Sequence, residues 1–323
     1  MTANTLPERC APASVVSALL EGPILVATDG TAQSAGAFNA AASIASRGMR
    51  RDERTATLPV HVITVASALP MLNPEMSAVL PVDFQGIRRA DMLAAAAEQV
   101  RYNVADAARW DIEATSGPAA PTITERAAEQ DASLIVMGLG KHDLLARMFG
   151  SETALMVMQK SHVPVLAVPQ NWIGIPRRVL IAVDFGSASL RAARTAMRII
   201  APGGTVCFAH VAPELGYPGH NEQITEIYQE NLSEELDRFI AAVGVPADVT
   251  ATRAALSGDP APILLGHARA NAIDMIVAGT HGLNALARLL VGSVAATLVR
   301  GAQCAVLVAS APVKAEDSPE RPE

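Results

Sequence analysis

Two residues separate Gly279 from Gly282, and nine separate Gly282 from the pair Gly292-Ser293. That spacing suits phosphate binding. A glycine where a strand gives way to a loop lets backbone approach a ligand closely, and Gly282 can adopt a positive φ. Gly292 leaves room for a phosphate ahead of an Ala- and Val-rich helix. Free N–H groups at that helix start, including the Val294 amide, can hold the phosphate oxygens together with the Ser293 hydroxyl. Glycines alone also serve plain turn geometry. Arg288 offers either a charge-assisted phosphate contact or a solvated helix face. His281 lies inside the loop with no second His or Cys at ligand spacing, so it reads as a surface histidine rather than a metal ligand.

The elements that must carry this loop recur in the chain. Residues 24–29, Ile-Leu-Val-Ala-Thr-Asp, answer residues 179–184, Val-Leu-Ile-Ala-Val-Asp, and the pairs 134–138 with 275–279 and 163–168 with 304–308 repeat the pattern. Apolar runs without alternation, bounded by turn residues and, as at 24–29 and 179–184, followed by a helical pattern, mark strands buried on both faces of a parallel sheet. Residues 116–166 align with 257–307 at a constant offset of 141 and without gaps, which is an internal duplication. In the second half the expected order is strand 179–184, helix 187–200, strand 205–211, helix 221–243 closed by Gly244, strand 248–255, helix 260–270, strand 274–279, the glycine loop, helix 293–300 and strand 304–308. Alternating βαβ units imply an α/β fold of two doubly wound domains.

The expected boundaries are an N-terminal extension at 1–20, a first domain at 21–169, a linker at 170–176, a second domain at 177–311 and a disordered tail at 312–323. The first half carries extra loops around 47–58 and 70–81. Asp184, at the end of its strand, suits either a ligand contact or a turn at a helix start. His210 reads as a satisfied core histidine.

Composition narrows the function. Half of the 323 residues are hydrophobic but only 3% are aromatic, as expected where Ala, Val, Leu and Ile pack helices on a sheet. A net charge of −7 gives no long-range attraction to nucleic acid or an anionic membrane. The cluster Arg47, Arg50, Arg51 and Arg54 follows a helix, where cations favour the negative end of its dipole. Three cysteines form neither a paired framework nor a metal spacing, which fits a reducing cytoplasm, and no leader or spanning segment is evident. The expectation is a soluble, unprocessed cytoplasmic protein without a metal.

The run Gly279 to Ser293 resembles the nucleotide-binding motif of the universal stress protein family and matches it at every defined position. The resemblance extends to Asp184, His210-Val211, Gly258-Asp259-Pro260 and Ala305-Val306-Leu307, and covers nearly the whole chain as two copies. Membership implies a five-stranded parallel sheet flanked by helices in each copy, ATP, AMP or ADP with or without Mg²⁺ at the switch point of the strands, and a role in stress tolerance or growth arrest. Residue by residue, it implies that Asp184 faces the nucleoside, Val211 lines the adenine pocket, and Ala182, Val183, Ala278 and Gly279 contact the nucleotide. Gly282, Gly292, Ser293 and Val294 would then form the phosphate cradle. It also implies pairing of the last strands, 163–168 and 304–308, as an internal pseudo-dimer, with further homodimerisation left open.

The first half departs from the motif. Asp29 and Gly138 match Asp184 and Gly279, but Lys141, Ser151 and Glu152 fall where Gly282, Gly292 and Ser293 stand. A gapped alignment instead keeps Gly140 nine residues from Gly150-Ser151, and both readings stand. In the ungapped one, Glu152 satisfies its own helix dipole and repels a polyphosphate. Two unit charges about 4 Å apart repel by roughly 4 kcal/mol at an effective dielectric of about 20. The second domain is therefore the expected adenine-nucleotide binder, and the first a structural or regulatory partner. No general base is evidently paired to a nucleophile near the loop, and no phosphate-binding lysine loop or serine-nucleophile elbow occurs. No catalytic residue is assigned. A nucleotide-dependent sensor is the leading reading, with a weak ATPase or a nucleotide-independent scaffold as alternatives.

Overall fold

The computed structural model describes residues 8–9, 20–47, 57–66, 84–105, 109–140, 150–212, 222–280 and 292–311. They fall into two compact units, Leu20–Ile175, and Pro176–Glu323 with residues of Met1–Leu19. Most of the segments expected as loops around 47–58 and 70–81, and all of the tail 312–323, lie outside the described residues.

A two-residue strand, β1 (Glu8–Arg9), precedes the first unit in sequence. The first unit then runs β2 (Ile24–Thr28), α1 (Ala35–Arg47), β3 (Val60–Ala66), α2 (Phe84–Asn103), β4 (Trp110–Ser116), α3 (Ala119–Glu129), β5 (Leu134–Gly138), α4 (Gly150–Lys160) and β6 (Val165–Val168). Its strands are all parallel, in the order β6-β5-β2-β3-β4. Every residue of β2 and β6 is buried, because helices cover both faces. Polar residues appear in β4, where only part of each side chain is covered. The helices meet the sheet through small residues: α1 buries Gly36, Ala37, Ala40, Ala41 and Ala45 around Phe38. Short side chains bring helix and strand backbones close, which is why so few aromatics suffice.

The second unit repeats the plan with β7 (Arg178–Ala182), α5 (Ser187–Ile199), β8 (Thr205–Ala212), α6 (Glu222–Val243), β9 (Thr250–Ser257), α7 (Pro260–Ala270), β10 (Met275–Gly279), α8 (Ser293–Gly301) and β11 (Ala305–Ala309). The order β11-β10-β7-β8-β9 is again parallel, and β1 adds a sixth, antiparallel strand on β9. Nothing in the first 20 residues announces that strand, since two residues held by backbone hydrogen bonds carry no periodicity. In both units the first and fourth strands are neighbours, so the chain reverses its direction of winding between them. That reversal opens a crevice at the carboxyl ends of those strands.

The repeat offset survives in the coordinates. Helices α3 and α7 span Ala119–Glu129 and Pro260–Ala270, and α4 and α8 end at Lys160 and Gly301, each pair 141 residues apart. Residues expected to link the domains dock onto the first unit: Trp172 is buried, its Nε1–H donates to the Gly174 carbonyl, and Asn39 donates to the Trp172 carbonyl.

One close approach fixes the crevice in each unit. A Cβ at Gly279 would lie 2.7 Å from the Ser189 nitrogen and 2.9 Å from the Ala188 Cβ, and one at Gly138 would lie 2.8 Å from the Gln33 carbonyl oxygen. At the opposite end of the second sheet, both oxygens of Asp274 accept the Arg177 and Arg178 amides at 3.0–3.2 Å. Burial pushes the Asp274 carboxyl above its ordinary value, and the two amides offset only part of that shift.

Gly279→Ala should therefore cost roughly 1–3 kcal/mol by overpacking. Gly266→Ala, at a helical position with nothing within 4 Å, should stabilise by up to about 1 kcal/mol. Urea midpoints of the two variants check both signs. Because the folded pKa of Asp274 is raised, its contribution to stability is present below the unfolded value and is lost as pH rises through the folded value. Denaturation of Asp274→Asn between about pH 3 and about pH 6 should lack that component of the wild-type slope.

Candidate functional site

The second unit's crevice is built where β7 and β10 end. β7 stops at Ala182, so Asp184 lies two residues beyond the strand, in the turn that feeds α5. Val183 is buried, and its amide still donates to the Ala209 carbonyl at 2.8 Å. The Asp184 Oδ1 accepts the Gly186 amide at 2.8 Å, an Asx turn that bends the chain into the helix. Between them Phe185 takes φ +61, a left-handed conformation that disfavours a bulky side chain. Packing holds it there: the Phe185 ring lies 5.0 Å from the His210 ring and 6.1 Å from Phe239.

His210 comes from β8, whose end also carries Val211. Its Nδ1 is 2.8 Å from the Val183 carbonyl oxygen, which can only accept. The ring is therefore a Nδ1–H donor that ties the β7 turn to β8. Its half-buried position and this bond agree with a structural histidine.

At the end of β10, Ala278 is buried and Gly279 meets the first turn of α5. The close approach that Gly279 permits is thus to helix backbone, a role that stands whether or not a ligand also lies there. Thr280 follows, almost wholly buried, with its amide on the Ala309 carbonyl and its own carbonyl accepting the Gly292 amide at 2.5 Å. The two ends of the glycine loop are joined by that bond. His281, Gly282 and Arg288 lie outside the described residues.

Gly292 is the N-cap of α8, with φ −53 and ψ 145, and among the described residues no side chain caps the helix. Ser293 is exposed and Val294 half-buried. Since the Gly292 amide is engaged by Thr280, the amides that open the first turn at Ser293 and Val294 are the ones placed to meet an anion. Such a position stabilises a negative charge by about 0.3–1 kcal/mol when exposed, and by up to about 2 when partly buried.

The first unit places Asp29 and Gly138 in the equivalent crevice but surrounds them differently. Gly30 takes the left-handed position, φ +79, where the second unit has Phe185. The Asp29 Oδ1 accepts the Thr31 amide at 2.9 Å, the Thr31 hydroxyl at 2.7 Å and the Ser34 hydroxyl at 3.1 Å. Gln99 of α2 locks this turn from a distance, accepting the Thr28 hydroxyl at 2.9 Å and donating to the Thr31 carbonyl. Above it opens a cavity of about 440 Å³ reaching Val65, Ile123, Met137 and Thr153. Glu152 sits in the first turn of α4, level with Ser293 when counted back from the helix ends. Helix α4 starts two positions earlier in that register than α8 does. Ser151 lies in that first turn as well, and Lys141 is outside the described residues.

The Gln99 lock, the Phe185–His210 pair and the first unit's cavity were not read from the sequence. Gly30 offered the one usable sign, since a glycine after the turn aspartate in one copy marks the left-handed position that Phe185 fills in the other.

The description Universal stress protein family matches this chain twice, at residues 22–169 and 176–310. A universal stress protein of Methanocaldococcus jannaschii is 30% identical over 154 residues, 46% of this chain and 90% of that relative. For a relative in Staphylococcus haemolyticus the match is 38% over 106 residues, 32% of this chain and 61% of the relative. Among solved structures, a universal stress protein from Archaeoglobus fulgidus DSM 4304 shares the fold with a TM-score of 0.59 at 17% identity, covering 89% of this chain and 98% of that one.

The His210 bond has a direct check. Nitrogen-15 spectra of the neutral imidazole should show Nδ1 protonated and Nε2 bare, and the opposite tautomer would contradict the Val183 contact.

Proposed function

As this chain belongs to the universal stress protein family, we propose that it acts in stress response by binding ATP, or AMP or ADP, in its second unit. The reading makes it a nucleotide-dependent sensor or regulator. Ala182, Val183 and Asp184, with Val211 at the end of the neighbouring strand β8, take the nucleoside. Ala278 and Gly279 form the side next to the fourth strand. The Ser293 and Val294 amides and the Ser293 hydroxyl take phosphate oxygens, with Gly282 and Arg288 on the same loop.

The observation that carries this reading is the start of α8. It begins beside the end of β10, no side chain among the described residues caps it, and its N-cap is a glycine, which has no side chain to occupy the place of an anion. The first unit differs at the same place, where Glu152 supplies a carboxylate of its own. The bound phosphates would bring charge to a helix end that the second unit leaves to them. Mg²⁺ on the phosphates would reduce the repulsion from Asp184. Nothing in the described crevice pairs a nucleophile with a base, so binding rather than rapid hydrolysis is the activity expected of it.

Isothermal titration of the full chain with ATP and Mg²⁺ tests the reading. One site is expected, and Gly292→Glu should weaken it at least about a hundredfold, as a repulsion of roughly 3 kcal/mol would. Two equivalent sites, or ATP binding lost in Glu152→Ala but kept in Gly292→Glu, would refute it. Rapid multiple turnover of labelled ATP would replace the sensor by an enzyme, and absence of binding would leave a scaffold.

A further inference from the structure

Helix α5 turns an arginine face to solvent. Beyond its opening Ser187, the residues of α5 that packing leaves uncovered are Leu190, Arg191, Arg194 and Arg198, and every other position is buried. Spacings of three and four put the arginines in one row, about 10 Å long at 1.5 Å per residue. Among the described residues no carboxylate pairs with them. The Arg194 Nε and Nη2 donate to the Ala242 carbonyl at 3.1 and 2.8 Å, and the Arg191 Nη1 donates to the Ser310 carbonyl at 3.3 Å. A guanidinium has five N–H groups, so each keeps donors for an anion. Burial lowers the Arg191 pKa from its ordinary value, a penalty on its charge that a nearby carboxylate would offset.

The first unit shows what lies along the matching helix. Aligned on 24–29 and 179–184, Gly36, Asn39 and Ser43 of α1 stand where α5 has Arg191, Arg194 and Arg198. The chain leaving β6 runs over this face: a Cβ at Gly36 would lie 2.0 Å from the Pro169 carbonyl oxygen, and the Asn39 Nδ2 donates to the Trp172 carbonyl at 3.3 Å. At the repeat offset of 141, Pro169 corresponds to Ser310 and Trp172 to Val313. The Arg191 contact to Ser310 thus repeats the Gly36 contact to Pro169, and the chain leaving β11 sets out over α5 as the chain leaving β6 does over α1. The means of attachment differ. Trp172 is buried in the first unit, whereas residues 315–320, Ala-Glu-Asp-Ser-Pro-Glu, offer three carboxylates and no cation. Fully extended, the nine residues from Ala311 to Glu320 reach up to about 30 Å, so all three carboxylates can come within the row.

We propose that the arginine face of α5 is the docking surface for residues 312–323 of the same chain, with Glu316, Asp317 and Glu320 on Arg191, Arg194 and Arg198. An exposed ion pair favours contact by a factor of about 1.4 to 5. Three of them on a segment already tethered beside the row favour the docked form by about tenfold, with no second molecule to immobilise. The contact is made of charge, so salt or a competing polyanion releases it. It does not depend on the nucleotide reading of the second unit's crevice.

Nitrogen-15 relaxation of the full chain tests this docking. In dilute buffer the amide order parameters of residues 315–320 should exceed about 0.6, and in about 1 M salt, where charges act only within about 3 Å, they should fall below it. Glu316→Lys, Asp317→Lys and Glu320→Lys together should free the segment without altering the folded body, and the Arg198 Nε signal should shift in that variant. Arg194→Gln with Arg198→Gln should free it as well. Low order parameters in the wild type, order that survives either variant, or an unmoved Arg198 signal would overturn the proposal. Loss of order on about tenfold dilution would overturn it too, by placing the segment on a second copy. If the arginine variant does not fold, the Lys variant and its Arg198 signal decide.

Discussion

The close contact between a helix start and the end of the fourth strand governs both units. Gly279 lies against the backbone at Ala188 and Ser189, and Gly138 against Gln33 and Ser34. No other side chain fits there. The contact sets how near the first helix comes to the fourth strand, and thereby where the turn after the first strand must run. Asp184 and Asp29 follow from that turn, each bending the chain with its own carboxylate. The crevice is a consequence of packing before it is a place for chemistry.

On this shared frame the two units diverge through a few residues. The left-handed position after the aspartate is glycine in one unit and phenylalanine in the other, with φ of +79 and +61. Phenylalanine there needs compensation of about 1–3 kcal/mol for its backbone, and the rings of His210 and Phe239 supply a packed surround. In the first unit no ring among the described residues fills the space, and Gln99 braces the turn instead. Two different braces hold the same bend. What differs is the chemistry left over: a helix end with a glycine N-cap in one unit, and a cavity beside a carboxylate in the other.

Much of the frame was legible because buried parallel strands are written as unbroken apolar runs. Runs such as Ile24–Thr28 and Met275–Gly279 need no partner to be recognised, and the fixed offset between halves located α3 and α7 without ambiguity. The candidate crevice was legible only where its residues are neighbours in sequence, at Gly292-Ser293 and at the aspartates of the turns after β2 and β7. Gln99 was invisible because it acts on Thr28 and Thr31 from about 70 residues away. The cavity was invisible for the same reason, since its lining is drawn from the ends of three strands and the starts of two helices. Gly279 was read as space for a ligand, and its packing against α5 could not be anticipated from a glycine's identity.

The bond between the Thr280 carbonyl and the Gly292 amide has a further consequence. It closes a segment whose two ends stay together whatever residues lie between them. The entropy of closing such a segment grows only with the logarithm of its length, about 0.6 kcal/mol per doubling. Evolution can therefore lengthen, shorten or rewrite the eleven positions from 281 to 291 at little thermodynamic penalty while β10 and α8 keep their places. The loop sequence is an interchangeable part, mounted on a clasp that the fold keeps shut.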